Sequence, residues 1–430
     1  VAQAPSPVPV FLPEDLLLEQ CSQLTAEGYF APARVPVPQK LLSGTSLVTC
    51  CHLVLRFMPS VREANFEFAF SLYRAVAQQE KGNIVISPLS FSLAFSLLAN
   101  GADAASRQEI FKLTRTDGLE INALNDENLK LQRALNQPGT DSRETFISAN
   151  SLWASLPMSF SPAFLEAGRR YYEAEVASVG RSELPARVSV WAREKTRNLV
   201  DMQLQETDFA LLSATYFKGR WVSPFPEAAT RPENFHVPDA SPQPVPMMTR
   251  QGEFLYSETQ DFQLMALPYF RATMYVLLPR SGWFHKHSIH NLEQEVLSRD
   301  VQSTVESMKD RPGRVKIPKF KFRFDGDFIP VLMGMGLNRV FASFDSLRPA
   351  VTHPDGARIT RVLQNNFLSV DEYGSEAASV LAIAMRAGAA PPSKPPKPFD
   401  FIADRPFCFW IIDNATFSVL FVGRVSNPLG

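Results

Sequence analysis

The sequence predicts an α+β fold, on three observations. Helical periodicities fill the first half of the chain, and strand-like runs dominate from Phe209 onward, the grouping expected of α+β domains. No internal repeat appears. With 430 residues, 45% of them hydrophobic, the chain is long and apolar enough to bury a sizeable core, and 33 phenylalanines against 9 tyrosines point to a deep apolar interior.

In chain order, residues 1–62 carry many prolines and no strong period. They read as an N-terminal extension, of low order or processed, with one short helix at 14–25. The chain starts at Val1, which reads as a processed or incomplete start. Residues 41–58 are mostly apolar after Lys40 but are broken by Ser43, Gly44 and Thr45, too short a run for a spanning helix. They read either as a signal-like segment or as part of an extension that packs or stays loose. Residues 65–77 place Phe66, Ala69, Phe70, Tyr73 and Val76 at helical spacing. Residues 83–100 read as a short strand, a Ser-Pro break and a buried helix, with Ser87 as its cap and Pro88 in its first turn. Helices are expected at 120–135, 161–174 and 187–202, with a strand at 146–154 between the first two. Strands follow at 209–218, 262–267, 273–278, 315–322, 363–370 and 407–413, and 333–337 is expected inside the last helix.

Composition excludes several functions. Net charge is −1, which suggests no general nucleic-acid or membrane partner. Ser, His and Asp are present, but there is no GxSxG elbow and none of the six histidines is placed for a triad, so an enzyme is not expected. No P-loop or GxGxxG occurs. His285, His287 and His290 have spacing that allows a surface metal site but read better as a solvated connection, so neither a metal nor a cofactor is expected. Lys319, Lys321 and Arg323 alternate with Phe320 and Phe322 as a solvated basic face over an apolar one. Cys21, Cys50, Cys51 and Cys408 show no disulfide or metal pattern, and Cys408 is expected buried and unpaired. The sequon Asn414-Ala-Thr416 lies between two strands and fits surface glycosylation, hence a secreted, extracellular glycoprotein.

The stretch 371–398 is the unusual one. A polar segment centred on Gly374 is followed by small apolar residues from Ala377 to Ala390, with Arg386 as the single charge, and then by five prolines in eight residues. The middle is β-compatible, yet the prolines cannot continue a central ladder. Counted from the hinge, one face holds Ser375, Ala377, Ser379, Leu381, Ile383 and Met385, all small or apolar. The other face holds Glu376 and Arg386. A loop able to become a strand reads this way.

Three C-terminal motifs, GSEAAS at 374–379, ADRPF at 403–407 and FVGRVSNP at 421–428, resemble the signatures of the serpin family, as do YYEAE at 171–175 and FKGRW at 217–221. The resemblance covers roughly residues 63–430. It implies a multi-helix bundle over three β-sheets with an exposed reactive centre loop at about 372–398, and a monomer. The implied function is a serine protease inhibitor that traps its target by inserting the cleaved loop into the central sheet; the alternative is a non-inhibitory binding or carrier protein. The implied loop hinge is Glu372, Gly374, Ser375, Glu376, Ala377 and Ala378. The implied sheet-opening latch is Ser87, Ser90, Ser213 and Gln364, with Trp221 where the sheet opens; Ser213 and Gln364 stand where the family has Asn and His. Counting from Glu372 puts the reactive bond at Gly388–Ala389, which suits an elastase-like protease. Arg386 favours Arg386–Ala387 and a trypsin-like one, and Met385 is a third position. The connection between Thr196 and Ser213 is shorter than the family's. The ADRPF segment is similar to the plasminogen-activator-inhibitor and nexin branch.

Overall fold

The computed structural model describes residues 61–136, 145–281, 289, 293–294, 304–305, 307–353, 355–375 and 397–430. The expected helix at 14–25, the segment 41–58, the three clustered histidines, Cys21, Cys50 and Cys51 lie outside the described residues.

Helix α1 (Val61–Gln79) turns Phe68, Phe70, Leu72, Tyr73 and Val76 inward. Strand β1 (Ile84–Ile86) leads into α2 (Pro88–Asn100), which is buried along nearly its whole length. Pro88 occupies its first turn, but the Ser87 side chain makes no capping bond, and its hydroxyl has no hydrogen-bond partner. Ser87 serves instead through its backbone, as shown below. Helix α3 (Ala104–Thr114) is capped by Asp103, whose carboxylate accepts from the Ser106 amide at 2.7 Å. Helix α4 (Ile121–Asn136) follows.

Strands β2 (Thr145–Ser155) and β3 (Ser159–Phe160) precede α5 (Pro162–Ala167). The helix expected over 161–174 stays α-helical only to Ala167. It widens into a π-turn (Gly168–Tyr172), and β4 (Glu175–Val179) comes next. Helix α6 (Leu184–Lys195) begins earlier than expected and also stops earlier, short of Met202. Arg197 and Asn198 take positive φ, which ends the helix, and Val200, Met202 and Leu204 then pack as irregular chain.

Beyond this point strands β5 (Phe209–Arg220), β6 (Arg231–Phe235), β7 (Gln243–Glu258), β8 (Phe262–Pro268) and β9 (Ala272–Pro279) follow. The run 315–322 is two strands, not one. β10 (Lys309–Pro318) and β11 (Phe320–Asp327) belong to different sheets, with Pro318 and Lys319 at the corner. Helix α7 (Ile329–Gly334) ends inside the 333–337 segment, where Gly336 has φ +98, and α8 (Arg339–Ala342) is a single turn. The remaining strands are β12 (Val351–Thr352), β13 (Arg361–Val370), β14 (Gly374–Ser375), β15 (Phe399–Ile402), β16 (Phe407–Asp413) and β17 (Val419–Val425).

Among the described residues these strands make three sheets. The largest runs β1-β17-β16-β9-β8-β7-β10-β15, with β6 on β7; the second runs β11-β13-β5-β2-β4, with β14 on β5; β12 and β3 form a pair. In the second sheet β13 lies parallel to β5, from Arg361–Ala210 to Phe367–Tyr216, whereas β11 is antiparallel to β13 and β2 antiparallel to β5. The main core fills the space between helices α1 and α2 and the two large sheets. A second core of Trp153, Trp191, Val200, Met202, Leu212, Tyr216 and Phe367 lies under α6 on the opposite face of the second sheet. Helices and sheets are thus segregated as the α+β reading expected. Cys408 is a free, buried thiol, and burial pushes its pKa up.

Candidate functional site: the seam between β5 and β13 and the hinge above it

Alternation along β5 and β13 gives their seam two different faces. On one face Tyr216 and Phe367, direct register partners, stack with ring centroids 6.4 Å apart. On the other face Ser213 sits opposite Gln364, and Thr215 opposite Asn366, all four fully buried. Ladder bonds between parallel strands are slanted and slightly weaker per residue than antiparallel ones. The side chains therefore have a real share in holding this seam shut.

The polar face forms one network with the start of α2. The Gln364 amide nitrogen donates to the Ser87 carbonyl at 2.9 Å, and its oxygen accepts from the Ser87 amide, also at 2.9 Å. Gln364 also donates to Ser213 Oγ at 3.5 Å and accepts from Asn366 Nδ2 at 3.0 Å. Ser90 Oγ donates to Asn150 Oδ1 at 2.9 Å and accepts from Ser148 Oγ at 2.9 Å. A hydroxyl has one proton, so the 2.5 Å contact between Ser90 and Ser213 must be donated by Ser213. The direction of every bond follows, and the chain of donors runs from Gln364 through Ser213 and Ser90 to Asn150. Thr215 donates to Asn366 Oδ1.

Ser90, Ser213 and Gln364 thus meet at one place, and Ser87 joins them by its backbone alone. Ser148, Asn150, Thr215 and Asn366 belong to the same network, and reading the sequence missed them.

Above the seam the hinge is seated on β5. Gly374 and Ser375 pair with Arg220 and Gly219, antiparallel to β5, just beyond the point where β13 stops pairing with it. Gly374 has φ +143, and a Cβ there would lie 2.0 Å from the Gly219 carbonyl oxygen. Glycine is needed here for close approach as well as for conformational freedom. Ser375 is fully buried, and its hydroxyl lies 2.8 Å from that of Tyr269. Tyr269 in turn stacks on Trp221 at 4.1 Å. The Trp221 indole donates to the Asp371 carbonyl at 2.9 Å, and the Trp221 amide donates to that of Tyr373 at 2.9 Å.

Glu372 is buried, and its carboxylate takes a 2.8 Å ion pair from Lys319 and a 2.7 Å bond from Thr230 Oγ1. Burial pushes this carboxyl's pKa up, but Lys319 and Thr230 outweigh it and hold it below the ordinary value. At neighbouring Asp371 burial wins, and the carboxyl is raised despite the Tyr373 and Gly374 amides it accepts from. Glu376, Ala377, Ala378, Met385, Arg386, Ala387, Gly388 and Ala389 lie outside the described residues. Asn414 is exposed in the turn between β16 and β17, where its Oδ1 accepts from Thr273 Oγ1 at 2.8 Å.

The match to known proteins is extensive. The family model for serpins, serine protease inhibitors, matches residues 63–428. The chain belongs to the serpin family. An uncharacterized serpin-like protein of Thermococcus kodakarensis is 31% identical over 385 residues, covering 86% of each chain. Alpha-1-antitrypsin of Sus scrofa is 30% identical over 395 residues, covering 88% of each. Human thyroxine-binding globulin superposes with a TM-score of 0.76 at 22% identity, over 87% of this chain and all of that one, a likeness of fold. The general role of the serpin family is protease inhibition without catalysis.

Proposed function

We propose that this serpin inhibits a serine protease by single-use trapping. The observation that carries the reading is β14. Two residues of the loop's N-terminal side already lie antiparallel on β5, at the mouth of a seam between two parallel strands. A strand continuing from Ser375 would run antiparallel to both β5 and β13 and pair with each. Inserting roughly a dozen residues would add about as many ladder bonds, at ~0.5–1.5 kcal/mol net each. The absence of proline from Gly374 to Gly388 permits this. Residues 63–430 form the inhibitory domain in this reading, with 1–62 as the extension. The protein is secreted and monomeric, carries a glycan on Asn414, and is cut at Arg386–Ala387 by a trypsin-like protease, with Gly388–Ala389 and an elastase-like protease as the alternative.

The test mixes the protein with trypsin and with elastase, follows complexes on denaturing gels, and sequences the released C-terminal peptide. A complex stable to denaturant, with a peptide starting at Ala387 or Ala389, is expected. Cleavage without any complex defeats the reading. The second reading is a carrier, and the fold shared with thyroxine-binding globulin favours it. Loop cleavage followed by heating separates the two: a trapping serpin gains stability sharply, and a non-inserting one does not.

A further inference from the structure

We propose that Tyr373 is a modification site whose phenolic oxygen takes an anionic ester, sulfuryl or phosphoryl. The residue sits at the tip of a two-residue hairpin. The Asp371 amide donates to the Gly374 carbonyl at 2.8 Å and the Gly374 amide to that of Asp371 at 3.3 Å, so Glu372 and Tyr373 form the turn. The Glu372 side chain points inward to Lys319 and Thr230. The Tyr373 side chain points outward, and its hydroxyl donates to Glu227 Oε1 at 2.5 Å on the exposed turn Glu227–Ala229.

The surroundings separate this tyrosine from the other tyrosines among the described residues. Tyr73, Tyr172, Tyr216, Tyr256 and Tyr269 are buried, and Tyr275 stacks on Trp410 at 5.7 Å. Tyr171 follows Arg169 and Arg170, and the Arg170 guanidinium lies 5.0 Å from its ring centre. Tyr373 has the Glu227 carboxylate at its hydroxyl, follows Asp371 and the Lys319-paired Glu372, and is followed in sequence by Glu376 and by no Lys or Arg before Arg386. A transferase that binds a polyanionic donor needs a cationic cleft, and an acidic acceptor segment complements one.

In the transfer, the phenolic oxygen forms a bond to sulfur or phosphorus of a nucleotide phosphosulfate or a nucleoside triphosphate. The donor's bridging anhydride bond breaks, and the nucleotide leaves with the electron pair. The phenolic proton passes to the Glu227 carboxylate that already accepts it, and on to water. The product has lost its donor and sets an ester anion against Glu227. Under the trapping reading this removes one of the ties between the hinge and the 222–230 connection, leaving those from Phe225 and Thr230 to Glu372. The resulting rate of conversion to the loop-inserted form rises roughly threefold to tenfold, the scale of one exposed charged hydrogen bond.

To test this, the folded full chain is incubated with a tyrosylprotein sulfotransferase and its phosphosulfate donor, and separately with an acid-directed tyrosine kinase and ATP. Peptide mass mapping follows. One ester group on the peptide containing Tyr373 is expected in at least one arm, and none in Tyr373→Phe; phosphatase sensitivity identifies which ester it is. An unlabelled Tyr373 in both arms overturns the proposal, even where the free peptide spanning 365–380 is labelled. So does equal labelling of Tyr373→Phe. These outcomes are independent of whether the chain traps a protease. Failure of trapping shows as absence of complexes with or without the ester.

Discussion

Replacing Gln364 by leucine removes the amide that ties β13 to the start of α2 while keeping the side chain's approximate volume. Four bonds go, to the Ser87 carbonyl and amide, to Ser213 and to Asn366. The Ser87 carbonyl keeps a 3.4 Å bond from Phe91, and Asn366 Nδ2 keeps a 3.5 Å contact with the Phe324 carbonyl. The Ser87 amide loses the side-chain partner it has in this network. A buried donor left so costs about 1–3 kcal/mol, and each other lost bond ~0.5–1.5 kcal/mol, against which leucine regains some apolar burial. A net loss of about 3 kcal/mol follows. At an unfolding entropy of about 2.1 cal/mol/K per residue over the serpin domain, the melting midpoint falls by about 4 °C. Because two of these bonds tie β13 to the start of α2 and one crosses the seam to Ser213, half of that loss expressed at the opening barrier speeds conversion to the heat-stable form by roughly tenfold. Scanning calorimetry gives the first number and incubation followed by native gels gives the second. A shift under ~1 kcal/mol with an unchanged conversion rate would show that Gln364 does not hold the seam.

The other predictions concern the hinge and the loop. In Glu372→Gln, the ion pair with Lys319 is lost, and the loop becomes more readily cut near its hinge at neutral pH. Since the Glu372 carboxyl is held below its ordinary value, its contribution is present above the ordinary carboxylate pKa of about 4.3 and fades as pH falls through the folded value. The difference in loop cleavage between wild type and variant should therefore vanish in acid; a difference that persists there contradicts the assignment. Ser375→Arg puts an unpaired charge where a fully buried hydroxyl sits, and should turn inhibitor into substrate. Covalent complexes at wild-type stoichiometry would refute the insertion argument. Arg386→Ala should abolish inhibition of trypsin-like proteases, and retained inhibition would move the bond to Gly388.

Local chemistry made the early helices legible. The 65–77 period lies inside α1, and the Ser-Pro break falls where α2 begins. Elements whose limits depend on tertiary contacts were not legible. Helix α3 buries only Ser106, Ile110, Leu113 and Thr114, too sparse a stripe to read. The turn of the chain between β10 and β11 leaves no mark in 315–322 beyond Pro318. The latch shows the same limit. Ser148 and Asn150, Ser213 and Thr215, and Gln364 and Asn366 each repeat at a spacing of two inside apolar runs. A solvated strand face shows the same pattern, so alternation alone does not tell which way these side chains turn. Only the packing of α2's first turn onto the sheet turns these residues inward. The resemblance pointed to Ser87, Ser90, Ser213, Gln364 and Trp221, and the geometry puts Ser148, Asn150, Thr215 and Asn366 in one hydrogen-bond network with the first four.

The parallel contact between β5 and β13 also bears on how the lifetime of the protein is to be measured. β5 is antiparallel to its other neighbour β2, and β13 to its other neighbour β11, so one antiparallel strand entering between β5 and β13 would complete the alternation there. Under the proposed trapping, filling that place lowers the free energy further, and the working form is a long-lived intermediate rather than the end point of folding. Its durability is then set by a barrier, and an equilibrium melting curve reports on the wrong quantity. Half-life of the active fraction on storage, with its steep dependence on temperature, is the number by which variants of this seam should be ranked.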